Sequence, residues 1–271
     1  MAGLAGAEEL LRGGNTHEAL VQLTEAVRRE PAKSEHRVFL FQLLAVLGEW
    51  DRALAQLNAV GELDASALGM ALVYRPVLAS ESLRREIFAG ERSPLVFGEP
   101  EQWIAETIQA LRLDAAGKHA EAEQLQQHAL NNAPATPGVI DGKDFEWIAD
   151  ADCRMGPMLE AIVEGRYYWV PFQRIREIRL EKPTALRDLV WMPAQFVWTN
   201  GGQAVGFIPT RYAGSETSDD GQIQMARKTV WLKWGSDSYI GHGQRMLATD
   251  ADDFPLLDIR HVMFNASGAS S

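Results

Sequence analysis

The sequence holds one cysteine in 271 residues, Cys153, so no intramolecular disulfide can form, and a reducing compartment is the setting that fits. It has no run approaching eighteen consecutive apolar residues, so no membrane-spanning helix is expected. It also lacks a basic excess. Formal net charge is −11, with 12 Lys/Arg against 19 Asp/Glu in residues 1–138 and 14 against 18 in residues 139–271. Neither half offers the concentrated positive surface that displaces counterions, so no nucleic-acid or membrane partner is expected. The opening stretch MAGLAGAEELLRGG has neither the basic start nor the apolar centre of a signal peptide. A cytoplasmic protein is the expectation.

The signatures of catalysis are missing as well. There is no phosphate-binding glycine loop before a helix, and Ser215 in AGSET is not set in a Gly-x-Ser-x-Gly elbow. His17, His36, His119, His128, His242 and His261 form no pair at zinc-ligand spacing, and His242 within Gly-His-Gly reads as a strand turn. Asp141, Asp144, Asp150 and Asp152 form an acidic run, but Trp147-Ile148-Ala149 falls where a calcium loop needs ligands. Cys153 lies beside acids, which raise a thiol pKa rather than lower it. No cofactor, no metal and no catalytic residue are expected. The rival reading is a hydrolase that uses carboxylates of the tryptophan-rich half together with His242. A third is a structural domain that dimerises through exposed tryptophans.

What is present begins with a repeat. GNTHEAL starts at Gly14 and GEWDRAL at Gly48, 34 residues on, and GKHAEAE starts at Gly117, close to two further periods. Ala19, Ala53 and Ala122 hold equivalent places, while Pro31 and Pro134 each lie 17 residues after their glycine. Glycine turns the chain between two helices, a small residue lets them approach, and proline stops the second. The pattern resembles the tetratricopeptide repeat in degenerate form. Leu63–Gly90 predicts a further helix or a kinked pair broken at Arg75-Pro76, and a helix restarts near Pro100.

After the linker NNAPATPGV the composition changes, and six of eight tryptophans lie from Trp147 onward. DFEWIADADCRMGPMLEAIVEG predicts one amphipathic helix or two short ones. RYYWVPF, IREIRLE, AQFVWTN, GQAVGFIPT, TVWLKWG and IGHGQRMLAT predict strands, with Gly201-Gly202 as a hairpin turn. The predicted fold class is α+β. A helical-repeat unit over 1–135 precedes a smaller, mostly antiparallel β domain with a helix over 140–265, built as a small sheet or partly open barrel.

The runs YYWVPFQRIREIRLEKPTALRDLVWMPAQF, GFIPTRYAGSE and ARKTVWLKW are similar to the ImpE/SciE/TagJ family of accessory proteins of the bacterial type VI secretion system. That resemblance covers essentially the whole chain. It implies a non-enzymatic cytoplasmic adaptor that binds the N-terminal helix of the small sheath subunit and modulates sheath assembly, or its recycling by a ClpV-type ATPase. On the repeat template, the groove for such a helix would be lined by Glu35, Val38 and Gln42 in the second repeat and by Ile104, Thr107 and Leu111 in the third. The segment FIPTRYAGSETSDD predicts a strand ended by Pro209, then a corner at Arg211 and Tyr212. Arg211, Tyr212 and Glu216 are the candidate partner-contact residues of this loop, with Glu216 on an exposed turn; the alternative is that Arg211 pairs with Glu181 or Asp188 inside the fold.

Overall fold

The computed structural model describes residues 4–265. Residues 1–3 of the expected helical unit therefore lie outside the described residues. Three helical hairpins open the chain: α1 (Leu4–Arg12) with α2 (Thr16–Arg29), α3 (Ser34–Val46) with α4 (Trp50–Leu63), and, later, α6 (Gln102–Ala115) with α7 (His119–Asn132). Gly14, Gly48 and Gly117 each turn their hairpin with φ between 71° and 89°, the left-handed region that a side chain disfavours. Ala19, Ala53 and Ala122 are completely buried where the paired helices touch, and α2 and α7 stop shortly before Pro31 and Pro134. The repeat physics read from the sequence is thus the physics of the hairpins.

Between the second and third hairpins runs α5 (Leu68–Phe88), 21 residues without interruption. The break expected at Arg75-Pro76 is absent. Val77 and Leu78 immediately after the proline are buried in the core, and that packing favours continuing the helix where local preference would end it. Pro76 has no N–H to give the Leu72 carbonyl, and the Ser80 hydroxyl donates to the Pro76 carbonyl at 2.9 Å.

The rest is mostly strand. Nine strands form one sheet in the order β1 (Leu95–Val96), β6 (Arg166–Pro171), β5 (Met158–Val163), β9 (Gln203–Pro209), β8 (Trp191–Trp198), β7 (Ile175–Leu180), β14 (His261–Phe264), β2 (Gly138–Ile140), β3 (Lys143–Phe145). All neighbours are antiparallel except β1 on β6. A three-stranded sheet joins β4 (Ile148–Asp150), β12 (Met246–Thr249) and β13 (Asp253–Pro255), and a ribbon pairs β10 (Thr229–Lys233) with β11 (Tyr239–Gly243). The short α8 (Gly221–Gln224) is the helix of this half. The helix predicted within DFEWIADADCRMGPMLEAIVEG is not there. The segment forms β3, β4 and β5 instead, and all six residues of β5 are buried, so the strand shows no alternation to betray it.

The large sheet has two cores. Met192, Ala194, Phe196 and Trp198 of β8 face one side with Ile178 and Leu180 of β7, closed over by Ile148, Leu247, Leu256 and Ile259. On the other side, Met158, Ile162, Trp169 and Trp191 join Phe41, Leu44, Tyr74, Leu78 and Ile104 of the helices in one cluster. Tyr74 contacts both Trp191 and Phe207, at centroid distances of 5.9 and 5.2 Å. Helices and sheet are thereby packed through a shared hydrophobic interior.

Candidate functional site

At the seam between helices and sheet the interior is ionic. Glu160 on β5 accepts from Arg84 of α5 at 2.5 and 3.0 Å, from Arg245 and from the Tyr167 hydroxyl. Arg245 also donates to Asp150 and to the Pro209 carbonyl. Trp169 Nε1 reaches the Tyr167 hydroxyl, and Trp191 Nε1 donates to Glu81 at 2.7 Å. Arg84, Glu81, Glu160, Arg245 and Asp150 are all buried. Burial alone would raise the Glu160 carboxyl, but Arg84 and Arg245 outweigh it and bring it down to about 2. At Asp150 burial wins over the pull of Arg245 and pushes the carboxyl up to about 7. Burial likewise raises Glu81.

The FIPTRYAGSE segment completes this seam. Arg211 is buried and forms no ion pair among the described residues; its guanidinium donates to the carbonyls of Ala45 (2.9 Å) and Val46 (2.5 Å) and to that of Gln224. Ala45 and Val46 end α3, so the cation sits on the last carbonyls of the helix, at the negative end of its dipole. The expected pairing with Glu181 or Asp188 is therefore replaced. Asp188 instead accepts from the backbone N–H groups of Thr184 and Ala185. Tyr212 is buried too, its ring against Gly241, where a Cβ would come within 2.0 Å of it. That close approach accounts for the Gly-His-Gly motif. Glu216 is half-buried over Gly48. A partner-contact role for Arg211 and Tyr212 is corrected by their burial: both side chains are spent inside the protein.

The groove residues divide. Glu35 is exposed and Val38 half-exposed beside Phe39, Ala67 and Met70 in an open hollow, while Gln42 is buried and accepts from the Arg187 backbone N–H at 3.1 Å. Ile104, Thr107 and Leu111 are buried, and the first and last belong to the shared core. Their burial leaves no open groove along that face of α6.

A further concavity lies between α5 and the helix-facing side of β5, β7, β8 and β9. Its volume is about 530 Å³, and Leu72, Val73, Pro76, Pro193, Val205 and Phe207 supply its apolar lining. No sequence reading singled it out. Its lone sequence signal is the apolar triplet Leu68, Leu72 and Val73 on a side of α5 that the core does not use.

The acidic run is dispersed: Asp141 accepts from the N–H groups of Arg260 and His261, while Asp150 and Asp152 serve the ionic seam. Among the described residues, no group of three or more His, Cys, Asp or Glu is placed to hold a metal ion. Burial and the Asp152 charge push the Cys153 thiol up to about 12. No helix of the described residues is long and apolar enough to cross a membrane.

A helical-hairpin unit packed onto a nine-stranded sheet through a buried ionic seam defines an α+β protein. The chain belongs to the ImpE protein family, whose model matches residues 142–263. It is 48% identical over 263 residues to a Pseudomonas aeruginosa protein described as type VI secretion system accessory component TagJ, covering 97% of this chain and 92% of that protein. Its fold matches the crystal structure of protein VPA1032 from Vibrio parahaemolyticus, with a TM-score of 0.88 at 22% identity, covering 96% of this chain and 97% of the other.

Proposed function

We propose that this chain is a non-enzymatic, cytoplasmic accessory protein of a bacterial type VI secretion system. In this role it captures the N-terminal helix of the small sheath subunit and thereby modulates sheath assembly, or its recycling by a ClpV-type ATPase. The observation that carries the reading is the 48% identity to TagJ along nearly the whole of both chains. The geometry favours an adaptor over the hydrolase alternative. A hydrolase needs a perturbed carboxylate that substrate can reach, yet the oxygens of Glu160 and Asp150 are occupied by arginine, tyrosine or backbone donors inside the protein. His242 forms no ion pair among the described residues, and burial lowers its pKa.

Calorimetric titration of the full chain with a synthetic peptide carrying the N-terminal helix of the small sheath subunit from the same gene cluster tests the reading. Saturable binding near one to one is the expected result. No heat and no competition at high micromolar concentration would remove that helix as the ligand.

A further inference from the structure

The cleft beside α5 has the features of an unfilled place in a helical layer. Leu68, Leu72 and Val73 are 43%, 59% and 48% exposed, and with Pro76 they follow one another at helical spacing along one side of α5. The second half of α5 is different: Leu78, Glu81, Arg84 and Ile87 are buried against the sheet. Its first half therefore stands as a wall with an exposed apolar stripe.

The floor is sheet. In register, Arg179 of β7, Gln195 of β8 and Val205 of β9 form one cross-strand row, and Pro193 and Phe207 form the next toward the core. Val205 is 75% exposed, the most exposed large apolar residue among those described. An apolar patch of this kind in a concavity marks an interaction site rather than scattered surface. Gly206 lets β9 lie close against β5 beneath this floor, since a Cβ there would meet the Ile162 carbonyl oxygen at 2.5 Å. At the rim, the β5–β6 turn residues Glu164 and Gly165 both have positive φ, and Gly165 packs on Pro76.

The nature of the occupant follows from hydrogen bonding and charge. β7, β8 and β9 each have a strand neighbour on both sides, so the floor offers no free backbone edge for an added strand. A chain segment lying there must satisfy its own backbone groups, as a helix does. Glu164 and Glu181 line the cleft, and neither forms an ion pair among the described residues. Arg179 is instead taken by Glu177 at 2.7 Å. The cleft rim thus presents two uncompensated carboxylates. A second copy of a chain carrying −11 is poorly suited to an acidic rim, whereas a basic helix is drawn to it.

We propose that this cleft seats one amphipathic helix of a partner protein, lying beside α5 across β7–β9. Its apolar stripe meets Leu72, Val73 and Val205, and its basic residues meet Glu164 and Glu181. The inference rests on the adaptor reading above and adds to it the place and the polarity of the ligand.

The test titrates the full chain with the same synthetic peptide used above. The variants are Leu72→Asp, Val205→Asp, Glu164→Lys with Glu181→Lys, and Val38→Asp as a control in the α3 hollow. All lie at exposed or half-exposed positions, and thermal midpoints within a few degrees of the parent, as surface changes allow, certify folding. Leu72→Asp and Val205→Asp are each expected to weaken binding at least about tenfold, and Val38→Asp less than about twofold. The double lysine variant is expected to lose the salt dependence of binding and to regain affinity for a peptide whose Lys/Arg are replaced by Glu. Binding that the cleft substitutions leave intact overturns the cleft while the adaptor reading stands. Failure of the peptide to bind the parent protein overturns both. A doubled mass in light scattering that Val205→Asp abolishes makes a second copy the occupant and also overturns the proposal.

Discussion

Glu160→Gln is the sharpest probe of how helices and sheet are held together. The side chain keeps its shape but loses its charge, leaving the guanidiniums of Arg84 and Arg245 against a neutral amide that brings donors of its own. Of their carboxylate partners, Arg84 then keeps Glu81, at 3.5 Å, and Arg245 keeps Asp150. Removing one member of a buried ionic set costs about 3–5 kcal/mol, because a desolvated charge is left uncompensated. A chain of this size loses roughly 2–4 °C of thermal midpoint per kcal/mol, so a fall of roughly 6–20 °C is expected. The pH dependence has a definite sign. A carboxyl held at about 2 stabilises the fold fully above its ordinary value of 4.5, and that contribution is lost as pH falls through about 2. Glu160→Gln should therefore flatten the acid limb of the stability profile between those values. Urea unfolding followed by tryptophan fluorescence and by far-ultraviolet dichroism measures both effects. A loss below about 1 kcal/mol, the size of an exposed ion pair, with an unchanged acid limb would falsify the account of the seam.

Three further outcomes follow from neighbouring groups. Asp150 behaves with the opposite sign: a carboxyl raised to about 7 contributes stability at low pH that is lost as pH rises through that value, so the thermal midpoint of Asp150→Asn should vary less between pH 4 and 7 than that of the parent. Arg211→Met should cost about 3 kcal/mol in urea unfolding, since the carbonyls of Ala45, Val46 and Gln224 lose a charged donor in the interior, and Arg211→Lys should recover little because an ammonium cannot span them. A destabilisation equal to that of an ordinary surface change would refute the clamp. Cys153, with its thiol raised to about 12, should react with iodoacetamide at pH 8 roughly a thousandfold more slowly in the folded protein than in urea, read by mass spectrometry; equal rates would contradict its enclosure.

Legibility in the sequence followed how local each feature is. Gly14, Gly48 and Gly117 mark the hairpins because a left-handed turn and a close helix contact each need a particular small residue in a fixed place. The strands β6 to β9 were legible from β-branched and aromatic runs with turn residues between them. β5 was not, since Met158–Val163 is buried on both faces and reads as readily as a helix; the flanking Gly156-Pro157 and Glu164-Gly165 were the breakers that bounded it. The burial of Ile104, Thr107 and Leu111 was invisible because it depends on tertiary packing and not on the spacing of the third repeat. Arg211 was correctly placed at a corner, but its partners lie on α3, some 165 residues away in sequence. The cleft beside α5 is the extreme case. Leu72, Glu181 and Val205 come together only through the sheet order, and no spacing within the chain announces them.

The measurement closest to the central claim is hydrogen–deuterium exchange of the full chain, alone and with the small sheath subunit. The expected result is added protection confined to the first half of α5 and the adjoining strands β7 to β9, with the ionic seam slow to exchange in both states. Protection confined to the α3 hollow, or none anywhere in the chain, would contradict it.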